Sequence, residues 1–335
     1  MKSICSSLPL AAGLLFFPVV AMAGEGSITY EGKDGPGKGK HIVLIAGDEE
    51  YRSEEGLPML GKILSQHHGF KCTVLFSVNE DGVIDPENQK SLTDPAALDS
   101  ADAIIMLLRF RQWDDVAIEK FDAACERGVP IIGLRTSTHA FLGKKKGFGK
   151  RVLGEGWVSH WGRHKREGAL GVIEPSAKDH PIMNGCGVIF GDSDVYEVYP
   201  PEDAQILVRA LVVDGLTADS KPMDYKKKRR PKGEEKSVND PPMPVAWTRE
   251  YKWDSGKTSK IFTTTLGAAT DLQTDGTRRM VVNAVFWGLG MDVPEKADVS
   301  FVDPYKPTFF GFGNFRKGIR PEDHALGMEL KASAE

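Results

Sequence analysis

Three polar loops hold most of the side chains that could do chemistry. They are Gly47-Asp48-Glu49-Glu50-Tyr51-Arg52, Arg109-Phe110-Arg111-Gln112-Trp113 and Arg135-Thr136-Ser137-Thr138-His139; each follows an apolar run, and a fourth such loop is Leu266-Gly267-Ala268-Ala269-Thr270-Asp271. A carboxylate or imidazole placed there can give or take a proton, so Asp48, Glu49 and His139 are candidate acids and bases. Arg109, Arg111 and Arg135 carry planar forks that fit carboxylates, phosphates or vicinal hydroxyls. Trp113 offers a face for a sugar ring, with Trp157 and Trp161 as further candidates, and Thr136 and Ser137 offer hydroxyls. The plain alternative is that Asp48, Arg109 and Arg135 pair with one another and tie the loops together.

His160-Trp161-Gly162-Arg163-His164 is a second constellation. The spacing would put both imidazoles on one helix face, as metal sites need, with His139 as a third donor. The Glu of H-E-x-x-H is missing and Gly162 weakens a helix. No cofactor is therefore expected, with a metal as the lesser alternative, and His160 and His164 are read first as polar residues beside the pocket. Asp192, Asp194 and Glu197 are carboxylates that could pair with Asp48 or Glu49 for acid–base work. The G-x-S-x-G elbow is absent, as are G-x-G-x-x-G and the phosphate-binding P-loop.

Ligands of an open parallel sheet bind outside the carboxyl ends of its strands, which is why these loops matter. The run His41-Ile42-Val43-Leu44-Ile45-Ala46 suits a strand buried on both faces, as do 103–108 and 130–134. Residues 70–76 read as another strand, and 169–173, 206–212, 245–251 and 260–265 as later ones. Helical patterns cover 55–66, 114–127 (with Asp114 as N-cap) and 275–289. Strands alternating with helices predict a three-layer α/β fold of flavodoxin type, a mostly parallel sheet flanked by helices.

The 335 residues hold 41% hydrophobic and 27% charged side chains with a formal net charge of −4. That excludes a disordered chain and a polytopic membrane protein, and gives no reason to expect nucleic acid. Lys2, the apolar run from Leu8 to Val20 and Ala21-Met22-Ala23 read as a signal peptide over 1–23. The run is too short for a comfortable membrane anchor. The protein is thus expected to be exported, to the periplasm in a Gram-negative cell. Three cysteines remain after cleavage; the odd count leaves at least one unpaired. Residues 24–40 read as a loose leader and 41–291 as one α/β domain. Two basic insertions interrupt it, 144–168 with eight Lys/Arg against two Glu and 217–243 with eight against five acids. The tail, 292–335, is rich in Pro, Gly and Phe, and its phenylalanines are expected to pack back on the domain.

Over about 41–291 the chain resembles the ThuA-like (trehalose-utilisation) family. The resemblance rests on 41–47, 103–108, 129–139, Asp179-His180-Pro181-Ile182, Asp194-Val195-Tyr196-Glu197, Pro244-Val245-Ala246-Trp247, 260–267 and Asn283-Ala284-Val285-Phe286-Trp287, in that order. It implies the fold of class I glutamine amidotransferases and a sugar-related role on disaccharides or oxidised (keto) sugars. Amidotransferases carry a nucleophilic Cys at the elbow, where this chain has Arg135 and Thr136, so no glutaminase activity is expected. Many relatives have a His in the loop after the fourth strand; His139 is near that place but shifted. Many end the later strand in Leu-Gly-His, whereas here Ala268 follows Gly267. Two readings stand: a protein acting on a carbohydrate or its oxidised derivative, or a non-catalytic binder of a sugar or other small molecule on a degenerate amidotransferase-like scaffold.

Overall fold

The computed structural model describes residues 26–230 and 233–330, so the signal-peptide segment 1–23 lies outside the described residues. In chain order the elements are β1 (Ser27–Tyr30), β2 (His41–Gly47), α1 (Ser53–His68), β3 (Lys71–Leu75), β4 (Ala103–Leu108), α2 (Asp115–Glu126) and β5 (Ile131–Leu134). They continue with β6 (Ser159–His160), β7 (Gly168–Ile173), β8 (Phe190–Gly191), β9 (Tyr196–Glu197), β10 (Gln205–Val213), β11 (Lys226–Lys228), β12 (Glu235–Ser237), β13 (Met243–Lys252), β14 (Thr258–Thr264) and α3 (Asp275–Gly288). Short 3₁₀ and π turns join them.

Ten strands make one sheet in the order β1-β3-β2-β4-β5-β14-β13-β10-β7-β8. The central five, β3-β2-β4-β5-β14, are parallel. An antiparallel strand β1 closes one edge, and an antiparallel wing β13-β10-β7-β8 extends the other. Successive strand residues face opposite sides, which divides the core. Ile42, Leu44 and Ala46 pack with Leu57 and Leu60 of α1 and Met280 of α3. Val43 and Ile45 pack with Ala117 and Phe121 of α2. These are the three layers that the alternating pattern predicts. Asp114 caps α2 by accepting from the Ala117 N–H at 2.8 Å. Cys72, Cys125 and Cys186 are all free and buried, and burial pushes each thiol up, as small apolar residues rather than reactive ones.

Three segments differ from their sequence reading. Within the leader, Ser27–Tyr30 adds an edge strand, because Ile28 and Tyr30 alternate into the core and the Tyr30 hydroxyl donates to the His324 carbonyl at 2.8 Å. The basic insertion 144–168 is part of the packed domain, with Val152, Leu153 and Trp161 fully buried. In 217–243, β11 and β12 form a hairpin, and Lys227 Nζ donates to the carbonyls of His160 and Trp161 at 2.8 and 3.0 Å. The tail packs back in part. Phe310 and Phe315 are buried, while Phe309 and Phe312 stay exposed. Among the described residues no helix is long and apolar enough to cross a membrane.

The tail also covers the start of α1, which buries Glu54. Burial and the neighbouring Glu55 push its carboxyl up to about 8. The folded chain then keeps a proton that an unfolded Glu releases near its ordinary value, about 4.3. Stability from this group therefore falls as pH rises from about 4.3 to about 8. Glu54→Gln is expected to stabilise the chain by about 1–3 kcal/mol at pH 8, with no such gain at pH 5. Urea unfolding at the two pH values checks this; an equal change at both would refute it.

Candidate functional site

The site sits at the carboxyl ends of the parallel strands, where the topology places it. Its centre is the carboxylate of Asp194, on the loop that enters β9. Both histidines of the 160–164 segment point at it. The His160 Nδ1–H donates to Oδ2 at 2.9 Å, and the His164 Nδ1–H donates to Oδ1 at 3.2 Å. The segment is not a helix, as the four-residue spacing suggests, but a short strand followed by a turn. β6 pairs with β9 and sets His160 opposite Tyr196. The N–H groups of Trp161 and Gly162 both donate to the Val195 carbonyl, at 2.7 and 3.1 Å. Gly162 gives this crossing room: a Cβ there would lie 3.2 Å from the Asp194 Cβ, so one of the two would have to give by a few tenths of an ångström.

Arg135 holds Asp194 from beneath. It follows β5 on a sharp turn with φ of 42°, the elbow position where an amidotransferase would carry its thiol. Its guanidinium is fully buried and donates to Asp194 Oδ1 (2.8 Å), the Asp194 carbonyl (2.6 Å), the Thr265 carbonyl (2.8 Å) and the Tyr51 hydroxyl (3.2 Å). The rings of Tyr196 and Tyr51 lie 3.7 and 4.6 Å from it. Burial alone would raise the Asp194 carboxyl, but His160, His164 and Arg135 overcome that and hold it well below the usual carboxylate range. On the far side of His164, Glu50 Oε1 lies 3.1 Å from Nε2. Burial opposes charge on His164, yet its bonds to Asp194 and Glu50 raise its pKa on balance.

An aromatic rim surrounds these groups. Trp157, 40% exposed, stands 4.9 Å from His160 and 5.1 Å from His139, centroid to centroid. Phe310 of the tail packs tilted against Tyr51 and His164, with ring centroids 5.3 and 5.4 Å away. Arg52 ties that stretch down, donating to the Gly311 carbonyl at 2.5 Å. Phe312 covers the Arg109 guanidinium at 4.9 Å.

The other residues singled out in the sequence fall on two sides of this centre. His139 lies in the rim; burial, then Arg109 and Arg135, push its imidazole down to about 3, so it is neutral. Asp48 is enclosed in its own loop, accepting from the N–H groups of Glu50 (2.7 Å) and Tyr51 (2.6 Å) and from the Thr136 hydroxyl. Burial and Glu49 push its carboxyl up to about 6. Glu49 pairs with Arg109 and, at 2.8 Å, with Arg111. Arg111 is fully buried and also donates to the carbonyls of Arg109 and Pro86. Ser137 donates to the Met106 carbonyl at 2.8 Å. Trp113 lies in the core against Phe121 and Phe141, away from any surface a sugar could reach, and Trp161 is likewise internal. These ties are the loop-bracing alternative weighed for Asp48, with the partners redistributed: Arg135 takes Asp194 rather than Asp48.

Sequence reasoning passed over Glu50, Tyr51, Tyr196 and Phe310. Glu50 and Tyr51 stood in a loop already singled out. Tyr196 neighbours Asp194, and the aromatic density of the tail was the only signal for Phe310.

A mixed sheet, parallel at its centre, flanked by helices and carrying a polar cluster at its carboxyl edge, defines a flavodoxin-like protein. Within that class, the trehalose-utilisation family model, ThuA, matches residues 42–288, and the chain belongs to that family. A ThuA-like protein from Parabacteroides merdae is similar in structure, with a TM-score of 0.52 and 15% identity over 77% of this chain and 92% of that one. A ThuA-like protein from Bacteroides uniformis has a TM-score of 0.45 and 15% identity, covering 78% of this chain and 95% of that one. No curated protein matches the sequence.

Proposed function

We propose that the protein is exported and acts on a carbohydrate or an oxidised (keto) sugar at the His160–Asp194–His164 cluster. The observation that carries this reading is the shared carboxylate: two partly exposed imidazoles converge on one buried Asp194 whose charge Arg135 fixes. Such a centre can polarise a carbonyl or relay a proton at a neighbouring carbon. Trp157, exposed and braced edge-on by the buried Tyr196, gives the flat apolar face that suits a pyranose ring, and Arg109 adds a fork for hydroxyl or carboxylate groups. The family's association with trehalose utilisation supports the sugar class. On this reading Arg135, Arg111, Asp48 and Glu49 act through other residues, as positioning groups.

The test is turnover by the mature chain of native and 3-keto disaccharides, followed by mass spectrometry. His160→Ala is expected to lower kcat/KM by at least about 100-fold while leaving the fold intact by circular dichroism. No product and no thermal shift with any sugar would reject the proposal. The second reading, a non-catalytic binder, draws on the number of loop charges already satisfied within the protein. It requires tight sugar binding with no product.

A further inference from the structure

The same cluster has the make-up of a metal site. We propose that His160, His164 and Asp194 form a three-ligand site for one divalent transition-metal cation, with coordination positions left open toward solvent. One donor atom from each residue lies within 4.8 Å of the other two. Donors placed about 2.0–2.2 Å from a tetrahedral cation are about 3.3 Å apart. The His160 Nδ1 stands 2.9 Å from Asp194 Oδ2 and the His164 Nδ1 stands 3.2 Å from Oδ1, so each imidazole already holds about the donor spacing that a shared cation sets against this carboxylate.

The surroundings are those a metal site uses to orient its ligands. His164 turns Nδ1 to the centre and Nε2 to the Glu50 carboxylate at 3.1 Å, the carboxylate–histidine–metal arrangement. Arg135 braces one Asp194 oxygen and the Asp194 carbonyl, leaving Oδ2 for the cation. Asp194 and Glu50 against Arg135 leave one net negative charge to receive a dication once the imidazoles are neutral. Two imidazoles and one carboxylate select zinc, iron(II), manganese or cobalt over calcium or magnesium, which take all-oxygen shells. His160 keeps 33% of its side chain exposed, so the centre faces solvent on one side, as reactive rather than purely structural sites do. His139 is not part of the set; Asp194 takes the place that the sequence suggested for it.

This deepens the proposed function, because a cation there would be the agent that polarises a sugar carbonyl, and it rests on that reading only for the substrate. The test uses the whole mature chain, stripped with a chelator and titrated with Zn²⁺ and Co²⁺ by calorimetry, with the visible spectrum of the cobalt form recorded. The expected result is one equivalent per chain, a raised Tm and a cobalt spectrum of nitrogen and oxygen ligation. His160→Gln and His164→Gln should each weaken binding by at least tenfold, and a His180→Gln control should not. Should a ligand variant fail to fold, loss of the cobalt spectrum on competition with zinc at one equivalent in the parent chain still counts for a single specific site. No binding to the stripped parent, or unchanged binding in the folded double variant His160→Gln/His164→Gln, would overturn the proposal. Sugar turnover by metal-free protein would overturn it too while leaving the sugar reading intact. A bound metal with no turnover of any sugar would support the site and reject the sugar reading.

Discussion

Glu49→Ala is expected to destabilise the chain by about 3–5 kcal/mol, the cost of leaving a buried ion without its partner. Glu49 carries the carboxylate that pairs with Arg111 in this loop network, and Arg111 has no exposed surface. Its remaining N–H groups donate to neutral acceptors, the carbonyls of Arg109, Pro86 and Asn88 and the Ser77 hydroxyl. Those acceptors satisfy hydrogen bonding but cannot neutralise the charge. Arg109 loses the same carboxylate, but it is partly exposed and water compensates it. Glu49→Gln keeps an acceptor and should cost less than the alanine variant. Urea unfolding gives the answer as a fall in midpoint at constant slope. A loss under about 1 kcal/mol for Glu49→Ala would mean that the loops are held by something other than this pair.

Arg135→Ala is the second large effect, and it separates stability from site geometry. The substitution removes a buried guanidinium, takes the cationic partner from Asp194 Oδ1, which keeps its bond from His164, and leaves the carbonyls of Asp194 and Thr265 without this donor. The unpaired groups and the cavity between Tyr51 and Tyr196 are expected to cost about 3–5 kcal/mol. Arg135→Lys keeps the charge but not the fork, so it should recover part of the stability. It should not restore turnover, because a single ammonium cannot fix both the carboxylate and the backbone of Asp194 at once. A fall in kcat larger than the change in KM would mark Arg135 as a positioning residue. Full activity of a stable Arg135→Lys variant would show that the fork is dispensable.

Much of the fold was legible because its signals are local. The run from His41 to Ala46 is apolar at every position from Ile42 on, and a strand with both faces buried needs that. Asp114 ahead of an apolar helical face marked the start of α2, and the Gly128-Val129-Pro130 stretch marked its end. Edge strand β1 was not legible: its four residues alternate over too short a span to stand out from a Gly-rich stretch. The carboxyl-edge rule also found the right loops, since it follows from topology. It did not say which side chain in each loop turns inward.

That choice belongs to the tertiary structure. Arg135 and His139 are four residues apart in one loop and were read as facing one pocket, the first as a fork for substrate and the second as an acid or base. The positive φ at Arg135 sends its side chain under the sheet edge to Asp194, while His139 lies in the rim. Glu49 and Glu50 are adjacent, yet one braces Arg111 and the other meets His164. The partners are 30 to 259 residues apart in the chain, from His164 with Asp194 to Arg52 with Gly311. The sequence alone determined the layers, the helices and the edge where chemistry must sit, because burial periodicity is written residue by residue. Which charges brace loops and which meet at the site was decided only on folding. A buried charge is held by whatever group the closed chain brings against it, and no local pattern records that meeting.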